Sequence, residues 1–276
     1  MAGGSGPARG RHAPWWFLAL TLTWTWTLWG VAAVTATDWR VPHALALFVL
    51  GGLGPLLVAS LLVATGRAHE TPGEFWRRAL DPRRLALRWW AALTALAVLP
   101  PLLLRLATTG TTDEVAVAAP AAFLLVGALA GAAEEPGWRG YAQEGLQRRF
   151  SVVTSSLVVG VCWGAWHLPL FWLPGTYQHG LGIGTRAFWT FHLAILVATV
   201  LYGWLYNAAG RVTLAAVWFH AAANVAGELF PAPGAEAETL ILQVLIVAAV
   251  LVGARRWMLR EAECSGATVR SSSQTP

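Results

Sequence analysis

The chain has 276 residues, 56% of them hydrophobic and only 12% charged, with a formal net charge of +5. A soluble domain carries about twice that charged fraction, so the composition excludes an ordinary water-soluble globule. Nothing in the sequence forms a nucleic-acid-binding module, and nucleic acid is not an expected partner.

Apolar runs of roughly 17–24 residues recur along the chain, each long enough to cross about 30 Å of hydrocarbon as a helix. The pattern predicts an all-α fold, a polytopic transmembrane helical bundle of about eight spans. In chain order these cover residues 15–36, 44–65, 89–106, 116–135, 152–173, 188–208, 212–229 and 239–256. The connecting loops are short, and no soluble domain is set apart. Residues 1–12 read as a disordered cytoplasmic N-terminus and 259–276 as a disordered cytoplasmic tail, both rich in Gly, Ser and Arg. Between them, residues 13–258 form one transmembrane domain. The first span follows Arg9 and Arg11 but is too long and too rich in Trp for a cleaved signal peptide; it reads as a retained anchor.

Every basic residue is an arginine, and their distribution orients the bundle. One side collects Arg9, Arg11, the cluster from Arg67 to Arg88, Arg139, Arg148, Arg149, Arg211, Arg255, Arg256, Arg260 and Arg270. Only Arg40, Arg105 and Arg186 fall on the other, beside Asp38, Asp113, Glu114, Glu236 and Glu238. This bias places the arginine-rich side, and both termini, in the cytoplasm of a multi-pass cell-membrane protein. The stretch 73–90, GEFWRRALDPRRLALRWW, is expected to lie on the anionic leaflet before span three. Cys162 in a span and Cys264 in the tail are not expected to pair.

Ionisable residues inside spans are expensive and point to function. Here they are few. Glu134, Glu135 and Arg139 stand at the end of span four, His167 in span five, His192 in span six, and His220 with Asn224 in span seven. Glu135 and Arg139 are four apart and share a helix face, so they can pair. Glu134, rotated by about 100°, cannot share that partner in the same geometry and is left free. Pro136 and Gly137 weaken the helix just beyond the acids. Trp163 and His167 share a face at i, i+4, and His220 and Asn224 share another across three alanines that admit a neighbouring helix. Spans four, five and seven are expected to meet, with Glu134, His167, His220 and Asn224 within about 10 Å of one another at hydrogen-bond or water-bridged reach. A carboxylate, two imidazoles and an amide in a dry cavity form a hydrolytic set, able to take a proton from water and to stabilise an oxyanion. His43, His179, His192 and Glu228 are read as structural or solvated.

The three motifs Glu134-Glu135-Pro-Gly-Trp-Arg139, Trp163-Gly-Ala-Trp-His167 and His220-Ala-Ala-Ala-Asn224 closely resemble those of the CPBP family, the type II CAAX prenyl endopeptidases and bacteriocin-processing proteins. The resemblance covers about residues 120–228, and Trp163 stands where the family more usually has Phe. It implies an intramembrane endopeptidase whose site opens to the cytoplasm. Glu134 would activate water with help from His167, His220 and Asn224 would bind the oxyanion, and Glu135 with Arg139 would hold the motif in shape. The cofactor is none, or a zinc ion held by His167, His220 and Glu134; a metal-free site is the reading adopted, because a zinc site more usually offers three His or acidic ligands. The expected partners are a membrane-associated protein or peptide substrate and the bilayer. No His-Glu-x-x-His motif, nucleophile elbow or Gly-x-Gly-Asp pair supports a rival protease class. The alternative is a non-catalytic membrane immunity or scaffold protein, or a transporter, although the paired broken helices of a transporter are not evident.

Overall fold

The computed structural model describes residues 13–109, 121–232 and 234–260. Arg9, Arg11, Asp113, Glu114, Cys264, Arg270 and most of the two terminal segments lie outside the described residues. All regular structure among the described residues is helical. In a bilayer this follows from the backbone, because a helix satisfies its own amides where no water can.

The helices are α1 (Ala13–Thr35), α2 (Pro42–Gly52), α3 (Gly54–Ala64), α4 (Pro72–Leu80), α5 (Leu87–Thr109) and α6 (Ala121–Glu135). A π-helix, Pro136–Gln143, carries α6 directly into the short α7 (Glu144–Leu146). Then come α8 (Val152–Trp166), a 3-10 turn over Leu168–Trp172, α9 (Tyr177–Leu181), α10 (Arg186–Ala208), α11 (Thr213–Leu229) and α12 (Glu236–Met258). Five of these segments are long and apolar enough to cross a membrane, or six when α2 and α3, bent by 46°, count as one broken span. As described, α6 has 15 residues and α11 has 17, both shorter than the five spanning helices. The protein is thus a polytopic helical membrane protein, but the expected count of eight spans is not established.

Local sequence explains the punctuation. Pro55 near the start of α3 cannot donate to the preceding turn, which permits the bend after Gly52. Thr71, Ser151 and Thr185 each accept a backbone N–H three residues on, at 3.2, 3.1 and 3.1 Å, and so cap α4, α8 and α10. The turn from α10 to α11 closes with Gly210 and Arg211 both at positive φ, and the Arg211 amide donates to the Tyr206 carbonyl at 2.8 Å.

The bundle has two chemically distinct ends. At the first, Arg78 of α4 donates to the Tyr206 hydroxyl at 2.6 Å, to the Gly140 carbonyl at 3.1 Å and to the Arg211 carbonyl at 3.2 Å. It also pairs with Glu70, and Arg211 pairs with Glu144 at 3.1 Å. At the second, the Trp39 amide meets the Pro174 carbonyl at 3.0 Å, and Arg105 donates to the Pro231 carbonyl at 2.6 Å. Segment 73–90, expected to lie on the leaflet, includes α4, which buries Phe75 and Ala79 and is tied by Arg78 into the bundle. Its outward charges pair locally. Hydrogen bonds from Arg84, and then Arg77, hold the Glu74 carboxyl below the usual carboxylate range.

Candidate active site

The acidic motif does not end its helix. Pro136 removes one amide from the ladder, and the chain widens into a π-helix rather than stopping. Gly137 makes this possible, because a Cβ there would come within 2.6 Å of the Pro55 carbonyl oxygen of α3. The expectation that Glu134 lies at the cytoplasmic end of its span is therefore corrected. Continuing helix through Leu146 puts Glu134 and Glu135 in the interior of the bundle, with Glu135 fully buried.

Helix α11 reaches α6 through small residues. A Cβ on Gly131 would collide with the Val217 carbonyl, and one on Gly127 would meet the Asn224 Cβ at 3.2 Å. Together with the alanines of the His220–Asn224 face, this is a small-xxx-small seam. It seats Asn224 so that its Nδ2 donates to the Gly127 carbonyl at 3.2 Å. Across the same seam the Nδ1 of His220 lies 2.8 Å from Oε1 of Glu135.

Glu135 is the hub of a buried triad. Nη1 of Arg139 donates to both of its oxygens at 2.9 Å, as the i, i+4 spacing predicts. The guanidinium is enclosed by aromatic rings, 4.2 Å from the centroid of Tyr202 and 4.9 Å from that of Trp163. Its Nε and Nη2 are buried without a hydrogen-bond partner, so the ring faces are what the rest of the cation meets.

Glu134 is held differently. The indole Nε1 of Trp163, on α8, donates to its Oε2 at 2.7 Å. One turn on, the Nδ1 of His167 lies 2.8 Å from the Trp163 carbonyl. A carbonyl can only accept, so Nδ1 carries the proton in that bond and Nε2 of a neutral imidazole keeps its lone pair. Glu134, Trp163, His167, His220 and Asn224 all line a single cavity of about 650 Å³. Glu135 and Arg139 stand behind its wall. The sequence-predicted set is thus brought together.

Two features were missed. Tyr202 of α10 lines the cavity and covers Arg139, and only its place in an apolar span could have suggested it. Gly127 and Gly131 carry a readable G-x-x-x-G signal. His192 stays out of the cavity wall, its Nδ1 2.8 Å from the Phe188 carbonyl, as a structural role requires.

With that geometry in hand, the chain can be placed among known proteins. Fold and site define an all-helical membrane protein with a buried carboxylate–imidazole–amide cavity. Residues 116–226 match the model of the Rce1-like family, described as type II CAAX prenyl endopeptidase Rce1-like. The chain is also 26% identical over 235 residues to CAAX prenyl protease 2 of Methanococcus maripaludis, covering 79% of this chain and 85% of that protein. Both matches support a CPBP-family membrane protease.

Proposed function

We propose that the protein is an intramembrane endopeptidase that hydrolyses peptide bonds of membrane-associated proteins or peptides with a water activated by Glu134. One observation carries this reading. The Trp163 indole fixes one oxygen of the Glu134 carboxylate and leaves the other to a cavity shared with His167, His220 and Asn224.

In this reading the water oxygen attacks the scissile carbonyl carbon while Glu134 takes one of its protons. His167, with Nδ1 committed to the Trp163 carbonyl, offers Nε2 as a second acceptor that orients the water. Asn224 spends one Nδ2 hydrogen on Gly127 and has another for the developing oxyanion; His220, its Nδ1 donating to the Glu135 carboxylate, can donate from Nε2 to the oxyanion as the imidazolium that this carboxylate stabilises. When the C–N bond breaks, Glu134 returns the proton to the leaving nitrogen. Products are a carboxylic acid and an amine.

In this reading Glu134 and His167 activate the water without a metal. Among the described residues, no group of three or more His, Cys, Asp and Glu side chains is arranged to hold a metal ion.

The decisive experiment compares the purified wild-type protein with Glu134→Gln on quenched fluorescent peptides in detergent. Gln keeps the shape but takes no proton, and loss of a general base costs about 10²–10⁴-fold in rate. Cleavage should fall by that factor while the melting temperature stays within a few degrees. Near-normal cleavage by Glu134→Gln would reject the assignment.

A further inference from the structure

Helix α12 supplies part of the cavity wall although none of the three motifs lies on it. Thr239, Leu242, Gln243, Ile246 and Val247 line the cavity, spaced i, i+3, i+4, i+7 and i+8 along one helix face. Packing of α12 on α10 and α5 sets that face against the bundle. Between Thr239 and Arg255 every side chain but that of Gln243 is apolar. Gln243 stands about 10 Å along the axis of a 23-residue helix that is apolar enough to cross a membrane.

No residue of the bundle answers this side chain. The Gln243 carboxamide has no hydrogen-bond partner among the described residues, and its Oε1 is buried. Polar neighbours on the same wall are committed. Thr239, one turn earlier, donates to the Ala235 carbonyl at 2.8 Å, Asn224 to the Gly127 carbonyl at 3.2 Å and Trp163 to Glu134 at 2.7 Å. An amide without a partner in an apolar span is costly, and polar groups kept at such depth mark function. Its partner has to come from the cavity side.

We propose that Gln243 is a substrate-binding residue that pairs with a main-chain amide of the peptide, away from the scissile bond. This rests on the endopeptidase reading above and adds a contact outside its catalytic set. An extended peptide brings one N–H donor and one C=O acceptor per residue, and both lose water beside Leu96, Leu104, Phe219 and Ile246. A primary carboxamide offers the complementary acceptor and donor in one plane. Its terminal torsion turns broadly, so the two can exchange places to suit the peptide. Apolar neighbours exclude competing water, which strengthens a single hydrogen bond. Because the main-chain amide is common to all peptides, Gln243 fixes the register of the chain against Glu134 without selecting its side chains. It also lies beyond residues 116–226, the segment that carries the family match.

The test measures cleavage and binding in detergent with the full chain. Gln243→Met keeps the length of the side chain and removes both polar functions; Gln243→Asn keeps the carboxamide on a shorter stem. One hydrogen bond to substrate is worth about fivefold in affinity. Gln243→Met should therefore raise KM about fivefold with kcat held within about twofold, as loss of binding common to ground and transition states requires. Its melting temperature should not fall, because an unpaired buried acceptor is removed, and Gln243→Asn should lie between the two proteins in KM. Quenched peptides that each carry one backbone ester in place of an amide locate the contact. One such ester should weaken wild type about fivefold and leave Gln243→Met unaffected. Wild-type KM in Gln243→Met, equal ester effects in both proteins at every position, or a lowered melting temperature that accounts for the loss would overturn the proposal. The same peptides, read by fluorescence anisotropy on Glu134→Gln with and without Gln243→Met, separate the two readings. Absence of Glu134-dependent cleavage would reject the endopeptidase, whereas equal affinities in the binding arm would reject the Gln243 contact alone.

Discussion

Trp163 and Glu134, from different helices, are joined by a 2.7 Å hydrogen bond from the indole nitrogen to one carboxylate oxygen. The bond sets which oxygen of Glu134 faces the cavity. Trp163→Phe keeps the ring against Arg139 and His220 but removes the donor, leaving a buried acceptor unpaired at a cost of about 1–3 kcal/mol. We expect cleavage to drop about tenfold with a modest fall in melting temperature, whereas Trp163→Tyr, or any variant that restores a donor in reach, should recover part of it. Steady-state cleavage in detergent checks this; an unchanged kcat in Trp163→Phe would deny the indole a positioning role.

Glu135 supports both Arg139 and His220, so its removal should act on stability first. Glu135→Ala strands a fully buried guanidinium, and breaking such a pair costs on the order of 3–5 kcal/mol. The expected signature is low abundance and a lowered melting temperature alongside lost cleavage. The double variant Glu135→Gln, Arg139→Gln should regain stability, because Gln still offers His220 an acceptor and no buried charge is left alone. A double variant as unstable as Glu135→Ala would contradict this account.

The seam between α6 and α11 depends on glycine. In Gly131→Ala the added Cβ meets the Val217 carbonyl, a backbone atom that cannot swing away. Overpacking of this kind costs about 1–3 kcal/mol. Since His220 and Asn224 ride on α11, cleavage should fall together with melting temperature. Gly127→Ala, whose Cβ sits at 3.2 Å from that of Asn224, should give a smaller loss of the same sign. Equal melting temperatures for wild type and Gly131→Ala would show that the helices are free to separate.

Metal removal should leave the reaction intact. Purified protein dialysed against a strong chelator such as 1,10-phenanthroline is expected to cleave at its original rate, since among the described residues no group of three or more His, Cys, Asp and Glu side chains is arranged to hold a metal ion. Loss of cleavage that added zinc restores would require a different ligand arrangement and would sink the metal-free mechanism.

The hydrophobic segments and the Glu135–Arg139 pair were readable because each is encoded by spacing along one helix, and the four cavity residues because polar side chains are rare in apolar spans. Bonds between helices were not. That Trp163 donates to Glu134 and that His220 meets Glu135 depend on how α6, α8 and α11 are rotated, which a spacing does not report. Pro136 misled for a physical reason: alone it argues for a helix end, but packing of Gly137 on Pro55 and of Gly140 on Phe75 and Thr213 keeps the chain helical.

The buried π-helix, Pro136–Gln143, would also act as electrical insulation. Were water to reach the cavity from one face, the transmembrane voltage would fall mainly across the buried layer from Trp138 to Gln143 rather than across the full bilayer. Each 100 mV is worth about 2.3 kcal/mol per elementary charge that crosses such a layer. Protons exchanged at Glu134 would move within the wetted half alone, so turnover would not short-circuit the membrane.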